Sequence, residues 1–346
     1  MKPFYYTRST NFGDHMNSWL WSELIPEAMD PEDGLRLVGI GSLLSRNLDL
    51  VDGRKVIFGT GSGYSSLPDQ AQAAQWRIYC VRGPLTARYL GLEPEKAITD
   101  AAWLINRIPR YSAVPTARKG TVFVPHWTSA AYGNWSMACP HLGIEYVDPL
   151  WSCERVFPAI ANAELALVES LHGAIIADYY RTPWIPVVSP GRILKYKWID
   201  WCQSLGMNYR PFLLPPSDYL DCLMQRISPR AIEFPTTPLH VPSDTFDVPQ
   251  TPPPPKKAGI RYHAKRRTRA KLHKLRNYTL ENLDIVRNNI LLHGWNERHW
   301  DNLGGYFDAV KASAPFLSRD AIRMEKIERL NDALDLMRDD YQAGRI

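Results

Sequence analysis

The stretch ELALVESLHGAIIADYYRTPWIPVV, from Glu164 to Val188, constrains the fold more than any other part of the chain. A short apolar run leads into Glu-Ser-Leu-His-Gly, then an Ala/Ile-rich segment, then a second apolar run. This reads as strand, loop, helix, strand, and strands joined through a helix lie parallel in one sheet. The first N–H groups of such a helix point outward at the carboxyl edge of the sheet, where α/β proteins bind their ligands. His172 and Gly173 stand at that junction.

The same alternation runs through the first two hundred residues. PFYY is a strand candidate, and DHMNSWLWSELI reads as one helix with Met16, Leu20 and Leu24 at helical spacing. LRLVGIGSLL and KVIFGTGSG are apolar runs that end in glycines. WRIYCVRGPLTARYLG gives strand, turn and helix, with Pro84 in its first turn and Gly91 at its end. AITDAAWLI closes this half, and the Pro-, Arg- and Ser-rich NRIPRYSAVPTARKG reads as a linker. TVFVPHW and GIEYVDPL then lead into the stretch above. The expectation is an α/β protein with two Rossmann-like halves facing a cleft, residues 1–108 and 118–205. Residues 206–255, rich in proline, read as an irregular linker, and 256–346 as a basic, helical extension.

Hydrophobic residues at 45% and charged residues at 22% mark a globular chain. Twelve Trp and seventeen Tyr could stack on sugars, although aromatic-rich cores are the commoner use. Five cysteines without a CxxC pair read as free thiols in a reducing compartment, not as a zinc site or disulfide framework. The N-terminal residues lack a signal-peptide core, and no apolar run reaches the roughly 20 residues of a membrane helix. These features predict a cytoplasmic protein. Lys256 to Arg276 holds ten Lys or Arg and no acid, so the net charge of +5 is local and the rest of the chain is acidic.

Several strand ends carry residues suited to an anion. Gly59, Gly61 and Ser62 in FGTGSG let the backbone approach a phosphate or carboxylate, or serve as a plain tight turn. The GxGxxG spacing of a dinucleotide site is missing. Asn11, Gly13 and Asp14 lie between a strand and a helix, where Asp14 can be a simple cap. Arg82 follows a strand and precedes a helix, placed to fork onto a carboxylate or phosphate or to make an ion pair. His126 and His172 hold equivalent strand-end positions in the second half, the latter flanked by Ser170, Leu171 and Gly173. Arg192, with Lys195 and Lys197, follows the last apolar run and could rim a phosphate site or form a solvated basic face.

Taken in order, NFGDHMN, GTGSG, VRGPLTAR, ITDAAWLI, VFVPHW and ESLHGAIIADYYRTPWI resemble the polysaccharide pyruvyltransferase family, in its bacterial exopolysaccharide ketal-forming type. The resemblance covers about residues 5 to 200. It implies a GT-B-like fold and transfer of pyruvate from phosphoenolpyruvate, as donor substrate with no other cofactor, to a sugar of a lipid-diphosphate-linked glycan; no metal is expected, since no carboxylate cluster of the DxD kind stands near an expected strand end. It also implies that His172 is catalytic and that Arg82 holds an anionic group of the donor. Some members carry an arginine two residues before the histidine, where this chain has Ser170. A basic segment at 256–276 would then hold the enzyme at the anionic inner face of the plasma membrane, each Lys or Arg contributing about 1 kcal/mol. With Tyr262 as its one aromatic, the segment is poorly equipped for nucleic acid. Two other readings stand beside this one: a GT-B glycosyltransferase using a nucleotide sugar, and a non-catalytic protein that binds membranes or polyanions.

Overall fold

In the computed structural model of the chain, the described residues are 1–7, 11–63, 68, 73–189, 194–225, 234–243 and 290–346. Arg192 and the basic stretch 256–276 lie outside them. The protein is α/β, built on two parallel sheets. Strands β1 (Lys2–Phe4), β2 (Leu35–Val38), β3 (Arg54–Phe58) and β4 (Arg77–Cys80) form the first in sequence order. The second contains β5 (Thr121–Val124), β6 (Glu145–Tyr146), β7 (Leu165–Val168), β8 (Trp184–Val188) and β9 (Phe212–Leu213), ordered β6-β5-β7-β8-β9. The Glu164–Val188 stretch forms as its pattern predicts: β7, the helix Leu171–Tyr179, and β8 paired parallel to β7.

Parallel sheets must be covered on both faces, and the apolar alternation shows how this is done. In the first sheet, Val38 and Ile57 face one way, with Leu44, Leu48 and Ala87. Leu37, Val56 and Phe58 face the other, with Trp21, Trp103 and Leu330, Leu334 and Met337 of the helix Asp320–Gln342. In the second sheet, Phe123, Leu167 and Ile185 pack on Trp135 and on Trp300, Leu303 and Phe307 of the helix Ile290–Lys311. Val122, Val124 and Ala166 on its opposite face belong to the same cluster as Leu37 and Phe58. One core therefore runs through both sheets, and Trp103 crosses it to donate its indole N–H to the Ile175 carbonyl at 2.9 Å. No helix among the described residues is long and apolar enough to cross a membrane.

The segment expected as one helix is broken. Phe12–His15 is one short helix, Leu20–Leu24 another, and a 3-10 turn over Met16–Ser18 joins them. The cause is Asn17. Its buried amide donates to the carbonyls of Asp14 (3.1 Å) and Ile40 (2.9 Å) and accepts from Ile40 N–H (2.9 Å) and Trp21 Nε1–H (3.1 Å). Such side-chain bonds compete with the helical ladder and here tie the segment to the loop after β2.

A buried ion pair joins the loops of the first sheet to the helix Lys195–Ser204. Arg82, 1% exposed, donates from Nε to Asp200 Oδ2 at 3.3 Å. Its Nη1 reaches Gly41 O (3.2 Å) and Ser42 Oγ (2.8 Å), and Nη2 reaches Ser62 O (3.3 Å). Asp200 also caps the helix Pro84–Tyr89, whose own cap residue, Gly83, has no side chain; it accepts from Thr86 N–H at 3.0 Å and Thr86 Oγ1 at 2.7 Å. Asp200→Ala leaves a buried guanidinium without its counter-ion, and loss of one such partner costs about 3–5 kcal/mol. Urea unfolding should show a loss of that size, with Asp200→Asn falling between.

Candidate active site

His172 sits in the first turn of the helix Leu171–Tyr179, with Ser170 as N-cap accepting from Gly173 N–H at 3.3 Å. The helix fits against the sheet because Gly173 is bare where it meets Val124. The imidazole is 12% exposed. Among the described residues its Nε2 has no hydrogen-bond partner; it lies 3.9 Å from Asp100 Oδ2, which has none among them either. Burial, then the charges of Lys197 and Arg82, push the imidazole down to about 3, so it is neutral at physiological pH. The Phe12 ring meets it edge-on, with centroids 6.4 Å apart.

Gly13 presses on the same ring. A Cβ there would overlap the imidazole Nδ1, so glycine is required by contact and not by backbone angle. Asn11 caps the short helix, its Oδ1 accepting from Asp14 N–H at 3.1 Å while its amide donates to Asp14 Oδ2 at 2.6 Å. Burial raises the Asp14 carboxyl, while the Asn11 bond and the Lys197 charge partly offset it. Lys197, itself buried, therefore acts electrostatically on both Asp14 and His172.

The glycine loop after β3 meets the Asp100 segment and the Arg82 side chain. Gly59 has φ +72, a left-handed conformation that favours glycine, and abuts Ala101, the neighbour of Asp100. Gly61 packs on the Arg82 guanidinium. Ser62 donates to Tyr196 Oη at 3.0 Å and stands 3.3 Å from Thr86 Oγ1. Asn11, Gly13, Asp14, Gly59, Gly61, Ser62 and Arg82 thus form a connected neighbourhood with Asp100, His172 and Lys197.

His126 is placed differently. It caps the helix Trp127–Tyr132, its Nδ1 2.7 Å from Thr128 Oγ1, and its N–H donates to Glu169 Oε2 at 2.9 Å. Glu169 Oε1 accepts from Ser189 N–H at 3.1 Å, so this buried carboxylate fastens the ends of β5 and β8 to β7, one residue before Ser170. Leu171 is core. A cavity of about 560 Å³ lined by Pro84, Glu95, Gln203, Lys326 and Arg329 shares no lining residue with the His172 neighbourhood.

Sequence reasoning missed Asp100 and Glu169. Asp100, in ITDAAW after the helix Pro84–Tyr89 and the 3-10 turn Pro94–Lys96, caps the 3-10 helix Ala101–Arg107, Oδ1 accepting from Ala102 N–H at 3.0 Å. In the sequence that is an ordinary cap signal. Burial is the main cause that raises its carboxyl to about 7; Asp14 and Asp200 add to this, while Arg82 and the Ala102 bond work against it. A group raised in the folded state stabilises below its unfolded value and loses that contribution as pH rises through the folded one. Asp100→Asn keeps the cap without the ionisation, so its melting temperature should exceed that of the wild type above pH 7. The gap should shrink as pH falls toward 4, as calorimetry across pH would read.

No family model matches the chain, and no solved structure matches it. A curated relative is the succinoglycan biosynthesis protein ExoV of Rhizobium meliloti (strain 1021), 39% identical over 226 residues, which cover 65% of this chain and 71% of that one. Identity at that level over that length agrees with the motifs: the chain belongs to the polysaccharide pyruvyltransferase family.

Proposed function

We propose that this protein transfers pyruvate from phosphoenolpyruvate to a sugar of an exopolysaccharide precursor, forming a pyruvate ketal. The observation that carries the reading is the setting of His172: a neutral imidazole at a helix N-terminus, its Nε2 without a hydrogen-bond partner among the described residues, in the field of two cations. Arg82 and Lys197, together with the helix N–H groups, make a site that attracts an anion carrying both carboxylate and phosphate. Arg82 acts from behind the glycine loops, its donors engaged by Gly41, Ser42, Ser62 and Asp200. Its charge contributes without direct contact.

The same cations explain the depressed imidazole. Bound phosphoenolpyruvate brings opposite charge beside it and raises its proton affinity toward the range useful for acid–base work. His172 then accepts a proton from the attacking sugar hydroxyl and returns it to the departing phosphate. In this reading residues 1–108 and 118–205 are the two Rossmann-like halves of a GT-B arrangement, with the donor between them. The acceptor is carried on a lipid diphosphate, and residues 256–276 hold the enzyme at the cytoplasmic face of an anionic membrane. The relative's name, a succinoglycan biosynthesis protein, supports the polysaccharide context.

The test is phosphate release from phosphoenolpyruvate by the full chain, with a panel of lipid-linked and synthetic glycoside acceptors. Acceptor-dependent release that falls at least about a thousandfold in His172→Ala is the expected result. Release untouched by the substitution removes the chemistry from this helix, and binding of a nucleotide sugar in place of phosphoenolpyruvate favours a glycosyltransferase. Gly13→Ala is a second probe. The imidazole must swing away from the added methyl, and kcat should drop about a hundredfold, since small misplacements of a reacting group cost that much.

A further inference from the structure

We propose that Asp100 is a second catalytic residue, paired with His172, and that the two between them move the protons of the transfer; the proposal rests on the pyruvyl-transfer reading above. Asp100 comes from the segment after β4 and His172 from the helix after β7, so each sheet supplies one member. Among the described residues, Oδ1 of Asp100 has a structural task, capping the 3-10 helix, and Oδ2 has none. Asparagine or serine caps as well as aspartate, so a cap alone does not require an acid.

The second oxygen, Oδ2, is buried and has no hydrogen-bond partner among the described residues, and it lies 3.9 Å from the Nε2 of His172, which has none among them either. That separation is too long for a hydrogen bond between them. An atom about 2.8 Å from both would see them at roughly a right angle, so one reacting centre can touch the two groups together. The charged and titratable groups bearing on the pair are Arg82, Asp14 and Asp200 around Asp100, and Arg82 and Lys197 around His172. Burial keeps Asp100 largely protonated below about pH 7, while His172 stays neutral. The pair thus holds one proton on the acid and one vacant site on the base.

That inventory balances ketal formation. Asp100 gives its proton to the methylene carbon of phosphoenolpyruvate, which becomes the methyl group and leaves C2 electrophilic. The first sugar hydroxyl forms its C–O bond to C2, and its proton passes to His172. The imidazolium then protonates the phosphate as the C2–O bond to phosphorus breaks. The second hydroxyl closes the ketal on C2, and its proton restores Asp100. One hydroxyl proton ends on phosphate, the other replaces the proton given to the methyl group, and both residues return to their starting states.

The experiment compares wild type, Asp100→Asn and Asp100→Glu as full chains, by acceptor-dependent phosphate release across pH and by calorimetric titration with phosphoenolpyruvate. Asp100→Asn should lower kcat about 10²–10⁴-fold, the usual range for a lost general acid, with donor affinity within about threefold of wild type. Asp100→Glu should recover part of the rate. Because the acid form is required, wild-type activity should fall as pH rises through about 7, and the residual activity of Asp100→Asn should lack that limb. Asp100→Asn turning over within threefold of wild type overturns the pairing while leaving pyruvyl transfer intact. Loss of donor binding together with turnover also overturns it, by showing a structural role. A wild-type chain that neither binds nor consumes phosphoenolpyruvate overturns the underlying reading, and the pairing with it.

Discussion

Arg82 is a permanently charged group sealed inside the protein, and much of the site geometry follows from the need to satisfy it. A guanidinium cannot shed its proton to relieve burial, so the fold must bring partners to it. They arrive from three places: the loop after β2 through Gly41 and Ser42, the loop after β3 through Ser62, and the helix Lys195–Ser204 through Asp200. Fixing Asp200 fixes that helix. Lys197 stands three residues earlier, on the same face. The ion pair thereby sets the position of the lysine whose charge bears on Asp14 and His172.

Other buried carboxylates set Asp100 apart. Glu169 is satisfied at both oxygens by N–H groups of His126 and Ser189. Asp178 accepts from Trp184 Nε1–H at 3.0 Å and from Ser318 N–H at 2.9 Å. Asp200 is bonded by Arg82 and Thr86. Each of these ties segments together and follows the rule that buried polar groups are paired. Asp100 Oδ2 has no hydrogen-bond partner among the described residues, and neither has His172 Nε2, 3.9 Å away. Stability alone gives no reason for that arrangement, since a buried polar group left without a partner costs about 1–3 kcal/mol. Reactive groups held ready for a substrate provide one.

The parallel architecture was legible because strands buried on both faces appear as short apolar runs, and those runs end in turn residues at the sheet edge. The Glu164–Val188 pattern placed His172 at a helix start, and the structure has it there. The break after Met16–Ser18 was not legible. Periodic Met16, Leu20 and Leu24 describe which face is buried, while the break depends on Asn17 reaching Ile40, a partner remote in sequence. Asp100 was hidden for a related reason. Its local signature is a cap, and its second oxygen gains meaning only from a histidine delivered by the other sheet. Arg82 was legible as a strand-end cation, but its engagement by Asp200 depends on a helix more than a hundred residues later.

Ser170 shows how these constraints combine. In members of the family with arginine at this position, a cation lies two residues before the histidine; here the hydroxyl caps the helix by accepting from Gly173 N–H. An arginine side chain has no acceptor and cannot make that bond. The capped helix start keeps His172 in place, and positive charge bearing on the imidazole comes from other elements. Among the described residues, Arg82 and Lys197 are the cations whose fields reach the imidazole, one from the end of the first sheet and one from the helix Lys195–Ser204, locked together through Asp200. In the proposed reaction, the ion pair that closes the core also carries the charge that a serine at 170 leaves out.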